Sequence, residues 1–473
     1  MSASRASSES PHEPALRRAL ELALEYLAGL DEAPVGATLS GVELRQRIER
    51  PLPETGRAAE RVVSELAEAV RGGILGNAGG RFFGWVVGGS LPAALAADWL
   101  TSAWDQNPGG YAVAPSASVL EEVCGRWLIE LLGLPAQSSF ALVTGCQMAH
   151  FTCLAAARNG LLAARGWDVE QRGLFGAPPL RVLTSDQRHG TVERALRMLG
   201  LGRDCMVELA SDARGQLEPA ALQRALASER ETPSIVVLQA GDVNTGVFDP
   251  FPELIEAARH SGAWVHVDGA FGLWAAVSPE YRRFTRGIEL ADSWATDGHK
   301  WLNVPYDCGY AFVRHPEPHY RSFSHHAAYL QRFDQQRDSV DWAPDHSRRA
   351  RSFATYAALL ALGRQGVARL VEDCCRHARS LVEGASHLPG VQVVSAPLIN
   401  QALLRFLDPR PGAAEADHDR RTEEVMAKIN ATGEALFTGT LWRGQRCMRV
   451  SVCSWMTSDR DVARAVAAIA ASL

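Results

Sequence analysis

The chain has 473 residues, too many for one ordinary domain, and its 47% hydrophobic and 22% charged residues are a globular balance. A net charge of −6 offers no basic field to nucleic acid or anionic lipid. The nine cysteines lack paired spacing, so no disulfide framework is expected and a reduced, cytoplasmic setting is.

The polar N-terminus, Met1 to Pro14, has no apolar core of a signal peptide. Apolar residues at helical spacing predict helices within 14–72, over Ala15 to Leu30 and Ala58 to Val70. Glycines punctuate 72–89. An apolar helix then runs from Leu91, too short and too interrupted by Asp98 and Asp105 to span a bilayer. From about 118 the texture becomes strand–helix alternation. Short β-rich runs start at Ala141, Arg181, Ser234, Trp264, Ser293 and Tyr310, with helical patterns between several of them. This predicts an α/β architecture with a mostly parallel central sheet, which binds ligands at the carboxyl ends of its strands. Residues 321–350 lack periodicity and read as a lid or a disordered loop. A helix from Arg351 leads into a small α+β domain. The expected division is a helical segment 1–105, a large domain 106–380 and a small domain 381–473.

Among 48 basic residues only Lys300 and Lys428 are lysine. An amine can be deprotonated where a guanidinium cannot, so a retained lysine invites a chemical explanation. Lys428 lies in an amphipathic run and reads as a surface residue. Lys300 follows a β-like run that ends in Asp297-Gly-His299, at the mouth of the expected sheet. A Schiff-base lysine needs a neutral amine, which burial and nearby cations favour. Asp268 ends the apolar strand Ala263-Trp-Val-His-Val-Asp268. A carboxylate there can pair with a protonated ligand nitrogen, a bond of about 1.5–3 kcal/mol. The separation of 32 positions from Asp268 to Lys300 leaves room for a connecting helix, so both ends can face one crevice.

The motifs His266-Val-Asp-Gly-Ala270, Asp297-Gly-His-Lys-Trp301 and Val304-Pro-Tyr-Asp-Cys-Gly309 resemble those of the group II pyridoxal-phosphate-dependent amino-acid decarboxylases, of fold type I. The likeness runs from about Arg81 to the C-terminus. It implies pyridoxal 5'-phosphate bound to Lys300, its ring nitrogen on Asp268, Ala270 close to the ring and His189 stacked upon it. His299 is implied beside the cofactor. Gly145, Cys146 and Gln147 match the phosphate-binding turn, although the family has small or hydroxyl residues where this chain has Cys146 and Gln147. Val243 replaces one of a threonine pair. Tyr329, 29 residues after Lys300, is similar to a loop tyrosine that returns a proton to the substrate carbon. Phe82 and Trp85 resemble a segment lining the substrate pocket across a homodimer interface; the alternative is ordinary core packing.

The reading is decarboxylation of an L-amino acid, aromatic or apolar, to its amine and CO₂. One alternative is oxidative decarboxylation–deamination, or another carbon–carbon lyase reaction, on the same cofactor. Another is a non-catalytic homologue. No Walker A sequence, HExxH motif, nucleophile elbow or zinc-spaced His/Cys cluster is present, and no metal is expected.

Overall fold

A computed structural model of the chain describes residues 10–325 and 336–473. The N-terminal region carries α1 (Glu13–Gly29), α2 (Gly41–Ile48), α3 (Ala59–Val70), α4 (Pro92–Trp104) and α5 (Pro115–Leu131). Pro92 and Pro115 open their helices, where a missing N–H costs nothing. Ser40 and Glu43 close a reciprocal capping box on α2.

The central region runs β1 (Ser139–Val143), α6 (Cys146–Ala163), α7 (Val169–Arg172), β2 (Arg181–Ser185), α8 (Gly190–Met198), β3 (Met206–Leu209), α9 (Pro219–Ser228), β4 (Ser234–Gln239), α10 (Phe251–His260), β5 (Trp264–Asp268), β6 (Ser293–Asp297) and β7 (Gly309–Val313). Its seven strands lie in the order β1-β7-β6-β5-β4-β2-β3. Only β7 runs against its neighbours, pairing antiparallel with both β1 and β6. All but β3 are buried along their whole length. That explains their continuous Val, Ile and Leu runs, because helices cover both faces. The strand–helix alternation therefore reads through to the expected mostly parallel sheet. β3 escaped the sequence reading because it is a four-residue edge strand, exposed at two of its positions.

α11 (Pro316–Phe323) and the long α12 (Ser352–Ser386) follow. α12 is interrupted at Gly363, whose φ of 59° leaves helical space. The C-terminal part holds β8 (Val391–Ser395), β9 (Gln401–Phe406), α13 (Glu415–Ala431), β10 (Thr438–Trp442), β11 (Gln445–Ser451) and α14 (Asp459–Ser472). Its sheet is antiparallel, in the order β10-β11-β9-β8.

Residues 336–350, the later part of the stretch 321–350 read as a lid or a disordered loop, are packed against the body of the protein. Ser339, Val340, Asp341, Ala343 and Ala350 are buried. Arg348 is paired with Glu121 at 2.6 Å, both side chains enclosed, and donates to the Leu142 carbonyl at 3.0 Å. Arg337 stacks over Phe140 and also meets Glu121. This stretch thus clamps β1 to α5. It lacks periodicity because its order comes from ion pairs rather than from an apolar face.

Candidate active site

The carboxyl ends of the parallel strands meet at one edge of the sheet, and the candidate residues gather there. β1 delivers Gly145 and Cys146 at the start of α6. β2 delivers His189, which caps α8. β5 ends on Asp268 and β6 on Asp297, with Lys300 three residues on.

The Lys300 Nζ lies 3.2 Å from Asp297 Oδ2, so the lysine's ion-pair partner is Asp297 rather than Asp268. Burial alone would lower the lysine's pKa. Asp297, Cys146 and Asp268 outweigh it and raise the amine above its ordinary value. The lysine is largely buried as expected, while the neighbouring Asp297 and Asp268 carboxylates favour its ammonium form. Asp297 also accepts from the Cys146 N–H at 2.6 Å and faces His299 Nε2 at 3.5 Å. It therefore ties the lysine to the N-terminus of α6, where a carboxylate meets an orphan amide.

His299 is nearly buried and stacks on Tyr306 at 4.2 Å. Its Nδ1 accepts from the Cys308 N–H at 3.2 Å. Burial depresses its pKa, so it is a neutral brace for Asp297. Asp268 Oδ1 accepts from the Ala270 N–H at 3.1 Å, and Oδ2 lies 3.4 Å from His150 Nε2. Burial pushes the Asp268 carboxyl upward, but His150, with His189 and Lys300, holds it well below its ordinary value. Asp268 is an anion at any working pH. Ala270 knits the two strand ends together, its carbonyl accepting from the Asp297 N–H at 2.9 Å.

The His189 ring is exposed at the edge of the same cleft, and Nδ1 contacts Thr191 Oγ1 at 2.7 Å. Its pKa is depressed by partial burial; Asp268 opposes this, while Lys300, His150 and Arg449 add to it. Among the described residues Gln147 Oε1 has no partner, and its Nε2 has only a 3.9 Å contact with the Met198 sulfur. Trp85 is half exposed, and its carbonyl accepts from Arg449. Phe82 is buried in a bridge to Leu436, stacked on Trp85 at 6.0 Å. Tyr329 lies outside the described residues.

The segment carrying Phe82 and Trp85 does reach the lysine turn. A Cβ at Gly88 would fall 1.9 Å from the Lys300 carbonyl oxygen, so only glycine fits that crossing. Asn303 fixes the crossing. Its Oδ1 accepts from Gly89 and Trp455 N–H groups, and its Nδ2 donates to the carbonyls of Lys300, Trp301 and Cys453. Asn303 and Asp297 were not singled out from sequence. Neither was Arg449, whose buried Nε has no partner among the described residues.

These residues fit pyridoxal phosphate. An ionised Asp268 suits the ring nitrogen, and Lys300 is the amine beside it. The first turn of α6, with the Gln147 Nε2 donor held only by its 3.9 Å contact to the Met198 sulfur, suits the phosphate. At Gly145 a Cβ would lie 2.9 Å from the His299 ring, so the phosphate turn and the lysine turn are in direct contact.

The fold and the site thus define a pyridoxal-phosphate enzyme of fold type I. The family model for the pyridoxal-dependent decarboxylase conserved domain matches residues 42–401, and the chain belongs to that family. It is a pyridoxal-phosphate-dependent amino-acid decarboxylase, a carboxy-lyase. Among relatives, it is 26% identical to 4-hydroxyphenylacetaldehyde synthase of Rhodiola rosea, over 93% of this chain and 90% of that protein. It is 25% identical to tyrosine decarboxylase 4 of Petroselinum crispum, over 94% of this chain and 90% of that protein. The fold is shared with a solved structure of Oryza sativa TDC with PLP and tryptamine. That likeness has a TM-score of 0.92 at 23% identity, covering 99% of this chain and 98% of that one.

Proposed function

We propose that this decarboxylase converts an aromatic or apolar L-amino acid to the corresponding amine, with Lys300, His189 and Tyr329 as its catalytic residues. The observation that carries the reading is the convergence of Asp268, Lys300 and His189 on one cleft at the carboxyl ends of β5, β6 and β2. The substrate class rests on relatives named tyrosine and tryptophan decarboxylases and on the half-exposed aromatic Trp85, three residues before the Gly88 crossing.

When bound, the cofactor supplies an electron sink for the pair left behind as CO₂ departs. Asp268 holds a fixed negative charge for the ring nitrogen. Lys300 must release a proton before its amine can react, and Asp297 Oδ2 at 3.2 Å is the adjacent acceptor. His189, kept neutral, offers a flat ring for stacking and a nitrogen that can accept a proton. Gly145, Cys146 and Gln147 present the start of α6 to the phosphate. Ala270 keeps the ring-facing side of Asp268 free of bulk, and His299 keeps Asp297 in place. Tyr329 donates the proton that replaces CO₂ on the substrate carbon. Phe82 supports Trp85 from behind, and Trp85 meets the substrate side chain.

A homodimer completes the reading. Leu16, Leu20 and Leu24 of α1 and Trp99 and Leu100 of α4 leave an apolar face exposed, and it borders a groove of about 580 Å³. A second copy of the chain suits such a face. The nine cysteines are all free thiols, which fits a reducing, cytoplasmic setting. Among the described residues no helix is long and apolar enough to cross a membrane.

The second reading is oxidative decarboxylation–deamination to an aldehyde, favoured by the relatives named as acetaldehyde synthases. Both readings are tested by one screen. Holoenzyme is incubated with a panel of L-amino acids while CO₂, oxygen uptake and product mass are followed. Amine in step with CO₂, without oxygen uptake, and best with aromatic substrates, is the expected result. Aldehyde with matched oxygen consumption would replace it with the second reading.

A further inference from the structure

Behind Asp268 lies a chain of buried polar groups. His150 stands one helical turn after Cys146 on α6, so both side chains face the carboxylate. His150 Nε2 is 3.4 Å from Asp268 Oδ2, and its Nδ1 is 2.9 Å from His266 Nε2. His266 is two residues before Asp268 on β5, and its Cα is directly paired with Ser293 on β6. His266 Nδ1 meets Ser293 Oγ at 2.9 Å, and that oxygen also receives the Trp264 Nε1–H at 2.9 Å. His150, His266 and Ser293 are all fully enclosed.

The direction of the protons follows from the ends. An indole N–H can only donate. At the other end the ionised Asp268 can only accept, so Ser293 Oγ, which accepts the indole hydrogen, gives its own to His266 Nδ1 when both histidines are neutral. His266 then carries its proton on Nε2 and donates to His150 Nδ1, and His150 donates from Nε2 to Asp268. Each group is satisfied once in each direction, as buried polar groups require. With His266 protonated on Nε2, a proton on His150 Nδ1 would set two N–H groups against each other at 2.9 Å. Burial, followed by the nearby His150, depresses His266 to about 3, which keeps it neutral. Other groups facing the chain are the Cys146 thiol, 3.4 Å from His150 Nε2, and Lys300 and His189 around Asp268. The Cys153 thiol, beside Ser293, donates to the Trp294 and Phe312 carbonyls.

We propose that Ser293, His266 and His150 are positioning residues that form a one-way hydrogen-bond chain ending on Asp268. The chain makes Asp268 a weak base, so the shared proton stays on the cofactor's ring nitrogen. Without the His150 donor the carboxylate becomes more basic and draws that proton toward itself. The inference rests on the reading that Asp268 meets the ring nitrogen.

The test uses holoenzyme loaded with ring-¹⁵N-labelled pyridoxal phosphate and reads the nitrogen's chemical shift against pH. Wild type is expected to hold the protonated position across the neutral range, because Asp268 keeps its negative charge beside the nitrogen. His150→Leu is expected to move toward the unprotonated position at every pH in that range, the ratio of nitrogen-bound to carboxylate-bound proton falling about tenfold. His150→Gln keeps an amide N–H toward Asp268 and is expected to restore the wild-type shift. Ser293→Ala is expected to give a smaller change in the same direction, and it reads the chain even if His150→Leu fails to load cofactor. An unchanged shift in both His150→Leu and Ser293→Ala would overturn the proposal, as would His150→Gln matching His150→Leu. Asp268→Asn separates the two claims. If it leaves the protonated shift intact, the Asp268 reading itself fails. If it abolishes the shift while His150 and Ser293 variants do not, only the chain fails.

Discussion

Asp297 and Lys300 form an ion pair of 3.2 Å, while the second Asp297 oxygen caps the first amide of α6 at 2.6 Å. One carboxylate thus joins the Lys300 amine to the turn proposed to receive the phosphate. The pair also raises the lysine's pKa. Below a raised pKa the amine is mostly charged, and only its neutral form attacks an aldehyde.

Cofactor uptake by the apoenzyme should therefore quicken as pH rises, roughly tenfold per unit while the amine stays mostly charged. Asp297→Asn removes the charge and keeps an acceptor for the Cys146 N–H. Its uptake profile should move to lower pH. Stopped-flow absorbance at several pH values measures this, and an unmoved profile would show that Asp297 does not govern the amine.

His189 sits below its ordinary pKa, chiefly through burial, with Arg449 among the contributing cations. A depressed pKa means that the ring is neutral through the neutral range and gains a proton only on the acid side of about 6.5. The acid limb of kcat/KM should lie there. Arg449→Met removes a nearby cation, so the limb should move upward in pH. A pH–rate series on both proteins checks the direction.

Asn303 is the joint between the Gly88–Gly89 crossing, the lysine turn and the Cys453–Trp455 segment. Asn303→Asp would replace a donor to three carbonyls with an oxygen that repels them. A cost of about 3 kcal/mol or more is expected, from buried carbonyls losing their partner and facing a charge. Pyridoxal phosphate should dissociate faster from this variant than from Asn303→Gly, which tolerates the φ of 56° and adds no charge. Absorbance decay on dilution distinguishes them.

Glu121 neutralises Arg348 and Arg337 in the buried clamp on β1. Glu121→Ala leaves an enclosed cation unpaired, a loss of roughly 3–5 kcal/mol. Amide exchange over residues 336–350 and β1 should accelerate, and cofactor retention should fall because β1 leads directly into Gly145. Exchange unchanged in that stretch would contradict the clamp.

Much of this was legible in the chain. Asp268 and Lys300 announce themselves at the ends of apolar runs, because a strand end is a position the one-dimensional pattern marks. Asp297 was read only as a turn residue, since its partners at Cys146 and Lys300 depend on where β1 lies relative to β6. β7 intervenes between those strands and runs antiparallel, and strand order leaves no periodic trace. His150 looks like an unremarkable helical histidine until α6 is laid across β5. Phe82 and Trp85 are near neighbours in sequence, yet one is enclosed against Leu436 and the other half exposed. Local pattern does not divide them; the crossing at Gly88 does.

The central claim is that Lys300 carries the cofactor. Lys428, the other lysine, is exposed on α13 and serves as an internal control. Purified holoenzyme reduced with borohydride, digested and mapped by mass spectrometry should carry a pyridoxyl group on Lys300 alone. A label on Lys428, or none on Lys300 in protein that retains its cofactor absorbance, would contradict the account.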